Sequence, residues 1–164
     1  DLSFEAWLYH PQIDDVISLA RDFPAQPIVL NHFGGPIGIG PYRNKRDQIF
    51  TEWKQSIQAL SKCSNVFAKL GGLGMVLNGY KFETNSTPPS SLELAELWSP
   101  YFETTIEAFG TNRCMFESNF PVDKVTSTYA VYWNCFKRIA QNASTGEKQQ
   151  LFHDTAKRFY RLQV

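Results

Sequence analysis

Short apolar runs alternate with longer segments of helical spacing along the chain. The apolar runs predict four strands, at 4–9, 28–30, 66–70 and 114–116. Apolar positions repeat every three or four residues in the segments that predict helices, at 13–20, 46–60, 91–109 and 127–140. Ser144 and Glu147 fit a capping box that opens a last helix, running with a break to residue 162. Strands that alternate with helices at this spacing predict a parallel sheet with right-handed crossovers.

Three irregularities are predicted within this pattern. Pro100 is expected to interrupt the third helix, because proline lacks the backbone donor that a helix interior needs. The glycine- and proline-rich stretch 34–41 predicts an irregular loop. The stretch 71–90 exceeds the ~12–15 residues of an ordinary connection and predicts a lid or substrate loop.

Composition narrows the class of protein. The 164 residues fit one domain, and 43% hydrophobic with 15% aromatic content excludes a disordered chain. Sixteen basic and sixteen acidic residues give no basic stripe for nucleic acid, and no apolar run approaches the ~20 residues that span a membrane. Three widely spaced cysteines without a CxxC motif predict reduced thiols and a cytoplasmic location. A small-molecule substrate is the remaining kind of partner.

Polar or titratable residues follow three of the predicted strands, at His32, at Lys69 and in the stretch 117–123. Carboxyl ends of parallel strands meet at one edge, so these residues predict one shared site. Lys69 would bind a substrate carboxylate or pair with Glu117. His10 would line the same mouth or simply occupy a turn. Asp123 would act in the site, cap a helix or pair with Lys124.

Four βα units supply half of a (β/α)8 barrel of ~250 residues, and a doubly wound sheet is the alternative. The segments IVLNHFGGP (28–36), VFAKLGGL (66–73), RCMFESNFPVD (113–123) and HDTAKRFYRL (153–162) decide between them. They resemble the last strands and the closing helix of the amidohydrolase superfamily. The closest type is amidohydrolase-2, predicted metal-dependent TIM-barrel hydrolases similar to sugar-lactone and pyrone-dicarboxylate lactonases.

The resemblance covers the whole chain and the C-terminal half of the family's domain. Residues 1–164 are therefore expected to form one partial domain, the last four βα units of the barrel. The family's first strand, with its His-x-His metal pair, has no counterpart here. The chain also opens at Asp1 without a methionine, so a missing N-terminal portion is expected.

The resemblance implies a hydrolase of a lactone or related C–O or C–N bond in a small carboxylated or sugar-derived substrate. His32 would ligate a metal or polarise the carbonyl. The family's metal-binding, water-activating aspartate is replaced by Asn119, whose amide cannot take a proton at neutral pH. Glu117, which shares a strand face with Asn119, or else Asp123 would replace it. A divalent metal such as zinc is implied by the family, while Asn119 and the missing histidine pair argue against one.

Two other classes stay open. Exposed edges of a half-barrel favour completion of the sheet by homodimerisation, without catalysis. A doubly wound α/β binding module is the other class. Because half of the family's site is absent, the chain alone is expected to be inactive.

Overall fold

A computed structural model describes residues 2–163 and shows a βα repeat. The four strands are β1 (Phe4–Ala6), β2 (Ile28–Leu30), β3 (Val66–Leu70) and β4 (Cys114–Phe116). The α-helices are α1 (Ile13–Asp22), α2 (Arg46–Leu60), α3 (Ser91–Phe109), α4 (Tyr129–Ile139), α5 (Thr145–Gln149) and α6 (Thr155–Tyr160), with a π-turn at Gln150–Asp154. Short 3-10 turns occupy His10–Gln12, His32–Gly34, Gly40–Tyr42, Val76–Asn78, Phe82–Thr84, Thr111–Arg113 and Val122–Val125.

The four strands form one parallel sheet in the order β1-β2-β3-β4. A doubly wound sheet reverses its strand order at a switch point, whereas consecutive barrel strands follow the order of the chain. The sequential order therefore confirms the half-barrel prediction of four parallel strands with flanking helices, and the doubly wound alternative is wrong.

Some predicted boundaries differ from the structure. The first strand was expected to reach residue 9, but its pairing with β2 stops at Ala6, opposite Leu30. The interruption expected at Pro100 is absent, because α3 runs through it and buries Trp98 and Phe102 around it. The last helix ends at Tyr160, two residues short of the prediction, and Arg161 then turns left-handed with a φ of 56°.

The two faces of the sheet are covered unequally. Side chains alternate along each strand, so each strand sends residues to both faces. The face packed against α1–α4, here called the outer face, carries the main core; its strand residues include Ile28, Leu30, Val66, Ala68, Leu70, Cys114 and Phe116. The opposite, inner face carries a small apolar cluster with α6, made of Val29, Phe67, Met115, Ala156, Phe159 and Tyr160.

The predicted reduced thiols agree with the structure, where all three cysteines are free and buried. Among the described residues, none of the helices has the length and apolar character needed to cross a membrane. The cytoplasmic location stays a prediction.

A candidate active site at the carboxyl ends of the strands

Three of the predicted site residues meet on the inner face of the sheet. His32 Nδ1 lies 2.5 Å from Glu117 Oε1, and Lys69 Nζ lies 3.9 Å from Glu117 Oε2. The pairing considered for Lys69 and Glu117 is therefore present. Their side chains are 15% and 17% exposed and that of His32 is 11% exposed, so all three are accessible from the mouth of the sheet.

Glu5 of β1 is a site residue that the sequence reasoning missed. Its carboxylate accepts hydrogen bonds from Lys69 Nζ at 2.9 Å and from the Tyr160 hydroxyl at 2.7 Å. Asn31 Nδ2 adds a longer one at 3.3 Å. A lone acid in a short apolar strand is the same signal that singled out Lys69, so Glu5 could have been found. Tyr160 gave no such signal, because it lies on the last helix of the chain and not on a strand.

Glu5, His32, Lys69, Glu117 and Tyr160 are called the inner-face cluster from here on. Burial acts to lower the pKa of Lys69, but its hydrogen bonds with Tyr160 and Glu5 outweigh burial, and the net pKa is raised. Burial acts to raise the pKa of Glu5, and the bonds from Tyr160 and Lys69 reverse this to a lowered pKa. Burial raises the pKa of Tyr160 to about 12. The lysine and the Glu5 carboxylate therefore stay charged at neutral pH, and the tyrosine stays a donor.

Two glycines after β3 leave the space that His32 and Glu117 occupy. A Cβ on Gly72 would lie 2.7 Å from His32 Nδ1, and a Cβ on Gly71 would lie 2.1 Å from the backbone oxygen of Glu117. Both distances are shorter than side chains tolerate. His32 itself has a φ of 54°, in the left-handed region that non-glycine residues seldom adopt. The backbone thus turns sharply after β2 and holds the imidazole of His32 against the carboxylate of Glu117, which directly follows β4.

Asn119 and Asp123 form a second hydrogen-bonded pair, in which Asp123 is buried and Asn119 is half-buried. Asn119 Nδ2 donates to Asp123 Oδ1 at 2.8 Å, while Asp123 Oδ2 is buried without a hydrogen-bond partner. Burial raises the pKa of Asp123 to about 7, although Asn119 and the nearby His32 act to lower it. Asp123 neither caps α4 nor pairs with Lys124: Thr128 caps α4, and no ion pair with Lys124 occurs among the described residues. Its catalytic role stays a prediction.

His10 lies apart from the inner-face cluster. Its Nδ1 accepts a hydrogen bond from the Ile37 backbone N–H at 3.2 Å, and its ring packs edge-on against Tyr42. Burial is the largest influence on its pKa and lowers it, so the ring stays neutral. Its predicted part in substrate binding is not tested by these contacts.

The donors for a metal ion are incomplete in this part of the protein. No group of three or more histidine, cysteine, aspartate or glutamate side chains in residues 2–163 is arranged to hold one. Glu117 engages Nδ1 of His32, which leaves Nε2 as the imidazole's free nitrogen. These residues alone do not fit a metal centre.

Known proteins resemble this chain in sequence and in fold. An uncharacterised protein of Sinorhizobium fredii is 39% identical over 98% of this chain and 48% of its own length. An L-fucono-1,5-lactonase of Burkholderia multivorans is 25% identical over 99% of this chain and 52% of its own length. The chain thus spans about half the length of these curated relatives.

A crystal structure of an amidohydrolase from Burkholderia multivorans with bound zinc superposes with a TM-score of 0.82. It is 24% identical, and the match covers 99% of this chain and 53% of that one. This likeness confirms the fold as half of a TIM-barrel amidohydrolase. The family model described as amidohydrolase matches residues 1–162, and the chain therefore belongs to the amidohydrolase family.

Proposed function

We propose that this chain forms half of a barrel that hydrolyses a lactone or related C–O or C–N bond in a small carboxylated or sugar-derived substrate. The observation that carries the proposal is the His32–Glu117 contact of 2.5 Å at the mouth of the inner face. The amidohydrolase family and the similarity to L-fucono-1,5-lactonase support hydrolysis as the reaction class.

The contact suggests a division of work between the two residues. With Glu117 as acceptor, Nδ1 of His32 carries a proton and Nε2 presents a lone pair. Nε2 is then the atom that takes a proton from the attacking water. As the C–O bond breaks, the same nitrogen returns that proton to the leaving oxygen. Glu117 acts as a positioning residue that stabilises the imidazolium between the two transfers.

Lys69 is better placed to hold the carboxylates than to bind substrate. It contacts Glu5 and Glu117 together, so two acids surround one cation and the charges sum to a negative value. A third anion, such as a substrate carboxylate, would be repelled there. The predicted binding of a substrate carboxylate by Lys69 stays a prediction.

The test is an assay of the full natural chain that carries this sequence, on a panel of sugar 1,5-lactones. Hydrolysis releases an acid, so a pH indicator reports the rate. We expect His32→Gln to lower kcat by about 100-fold or more, the usual worth of a positioned general base. Glu117→Gln keeps an acceptor oxygen for the Nδ1–H of His32, so this variant should lose less kcat than His32→Gln.

His153→Gln is the matched control, because His153 is an exposed histidine that contacts only the neighbouring Asp154 among the described residues. An unchanged rate for His32→Gln on every lactone that the natural protein hydrolyses would contradict the proposal. The same assay on residues 1–164 alone checks the predicted inactivity of the half-barrel.

Completion of the sheet by homodimerisation, without catalysis, remains a second candidate function. The two edges of the sheet are unpaired within the described residues, and at the start of β1 Leu2 and Phe4 are 82% and 48% exposed. Unpaired edges with apolar neighbours favour association. Sedimentation equilibrium of this chain tests the idea: a dimer weakened by Phe4→Glu supports it, and a monomer throughout the concentration range rejects it.

A further inference from the structure

A cavity of about 500 Å³ shares no lining residue with the inner-face cluster. Its walls come from residues 36–46, from Ile49 of α2, from residues 76–83 and from Tyr101 of α3. The two loop segments follow β2 and β3, which are the central strands of the sheet. The cavity therefore lies away from the unpaired edges, among elements that are all present in this chain.

Arg46 is the most informative residue of this cavity. It is half-buried at the first turn of α2, with its guanidinium 3.8 Å from the centre of the Tyr80 ring. It donates a hydrogen bond, at 3.1 Å, to the backbone oxygen of Asn78, and its guanidinium also interacts with the hydroxyls of Tyr80 and Tyr101. A guanidinium has five N–H donors in a planar fork that matches a carboxylate or phosphate. Stacking on Tyr80 fixes that plane and leaves donors for a ligand.

No acidic side chain within residues 2–163 forms an ion pair with Arg46. A charged group that is withdrawn from water is normally paired, so an unpaired, half-buried guanidinium calls for a partner. The structure supplies the position for one, since Arg46 lines an open cavity rather than a closed core.

The rest of the lining favours a negative ligand. Arg43 and Lys81 are exposed on the same cavity, and Glu83 is the one acid in its lining. Three cations against one acid give the cavity a positive charge. The inner-face cluster, by contrast, holds two carboxylates around one lysine. Of these two concave regions, the Arg46 cavity is the one that attracts an anion.

We propose that the Arg46 cavity is a binding site for a small organic anion. A carboxylate or phosphate group of the ligand lies in the fork of Arg46, and Arg43 and Lys81 add long-range attraction at the rim. Tyr42 and Tyr101 line the same cavity and face the ligand's carbon skeleton. This site is separate from the proposed hydrolytic site and does not depend on it.

Isothermal titration calorimetry of the full natural chain tests the site, with citrate and inorganic phosphate as separate probes. Ionic strength is held constant, because screening by salt would otherwise mimic a loss of binding. We expect saturable binding of at least one probe. Citrate alone would identify carboxylates as the ligand group, and phosphate alone would identify phosphates.

Arg46→Gln is expected to weaken that binding by about 10-fold or more, the worth of a charge-assisted hydrogen bond. Arg138→Gln removes an exposed guanidinium outside the cavity, on α4, and should leave the affinity unchanged. If Arg46→Gln fails to fold, the double variant Arg43→Gln, Lys81→Gln changes only exposed side chains and should also weaken binding. Absence of binding to both probes, or equal affinities in natural and variant proteins, would overturn the proposal.

Discussion

The outer and inner faces of the sheet are built from the same four strands but have opposite chemistry. The outer face packs aliphatic and aromatic side chains under four helices, with Trp53 and Phe102 fully buried at its centre. The inner face has one small apolar cluster near α6 and, beyond it, a chain of titratable groups from Glu5 to His32.

The outer face mainly stabilises the fold, whereas the inner face carries the titratable groups. Burial of large apolar side chains is the dominant favourable contribution to folding, so the outer face carries most of it. The inner face keeps charges in a partly buried place, where each must be paired to be tolerated. A strand of a parallel sheet serves both purposes, because alternate residues face opposite environments.

Two phenylalanines on opposite faces give the largest expected effects. Phe102→Ala on the outer face should lower the free energy of unfolding by about 3–5 kcal/mol, since it leaves a cavity among fully buried rings. Phe67→Ala on the inner face should lower it by about 1–2 kcal/mol, because Phe67 is only partly buried against Phe159. Urea denaturation measures both losses. Equal losses would break the contrast between the faces.

Asp123 predicts a pH dependence of intermediate size. Its folded-state pKa of about 7 lies above that of an unfolded aspartate, so the folded protein holds this proton more tightly. The free energy of unfolding should therefore fall as pH rises from about 4 to about 7 and then level off.

Asp123→Asn removes this dependence and should stabilise the protein above pH 7, relative to the natural chain, by up to about 4 kcal/mol, because the folded-state pKa of about 7 lies roughly three units above the unfolded value. Urea denaturation at several pH values measures the difference. A constant difference between the two proteins from acid to neutral pH would show that Asp123 does not hold its proton in the folded state.

The smallest effect belongs to the hydroxyl of Tyr160. Tyr160→Phe removes one hydrogen bond to Glu5 and should cost about 0.5–1.5 kcal/mol. It should also raise the pKa of Glu5, since the lost bond is one of the influences that lower it. NMR titration of the Glu5 carboxyl group measures the pKa. An unchanged pKa in the variant would mean that Lys69 and Asn31 set the charge of Glu5 without Tyr160.

The elements that build the outer face could be predicted from the sequence, whereas the contacts of the inner face could be predicted only in part. Apolar runs and helical spacing predicted the four strands and their helices, because burial of these side chains follows a local period. The strand ends predicted His32, Lys69 and Glu117 as neighbours, because parallel strands bring their carboxyl ends to one edge. The fit of Gly72 against His32 depends on contact between two strands and has no local signal.

Long-range contacts account for the remaining differences. Tyr160 and Glu5 are 155 positions apart in the chain, and no pattern within either segment predicts their contact. Pro100 stays inside α3 because buried neighbours outweigh the local preference of proline. The Arg46 cavity likewise joins two loops and a helix, so its charge becomes visible only in the folded chain.

The continuity of the inner-face cluster has a consequence for enzymology. His32 touches Glu117, Glu117 approaches Lys69, Lys69 binds Glu5, and Glu5 accepts from Tyr160. Lys69 is held between Glu5 and Glu117, so these contacts connect strand β1 to the imidazole of His32. Loss of the Glu5 carboxylate would free Lys69 to move toward Glu117 and would alter the group that orients His32. A substitution at Glu5 should therefore change kcat, although Glu5 lies on a different strand from both residues of the His32–Glu117 pair.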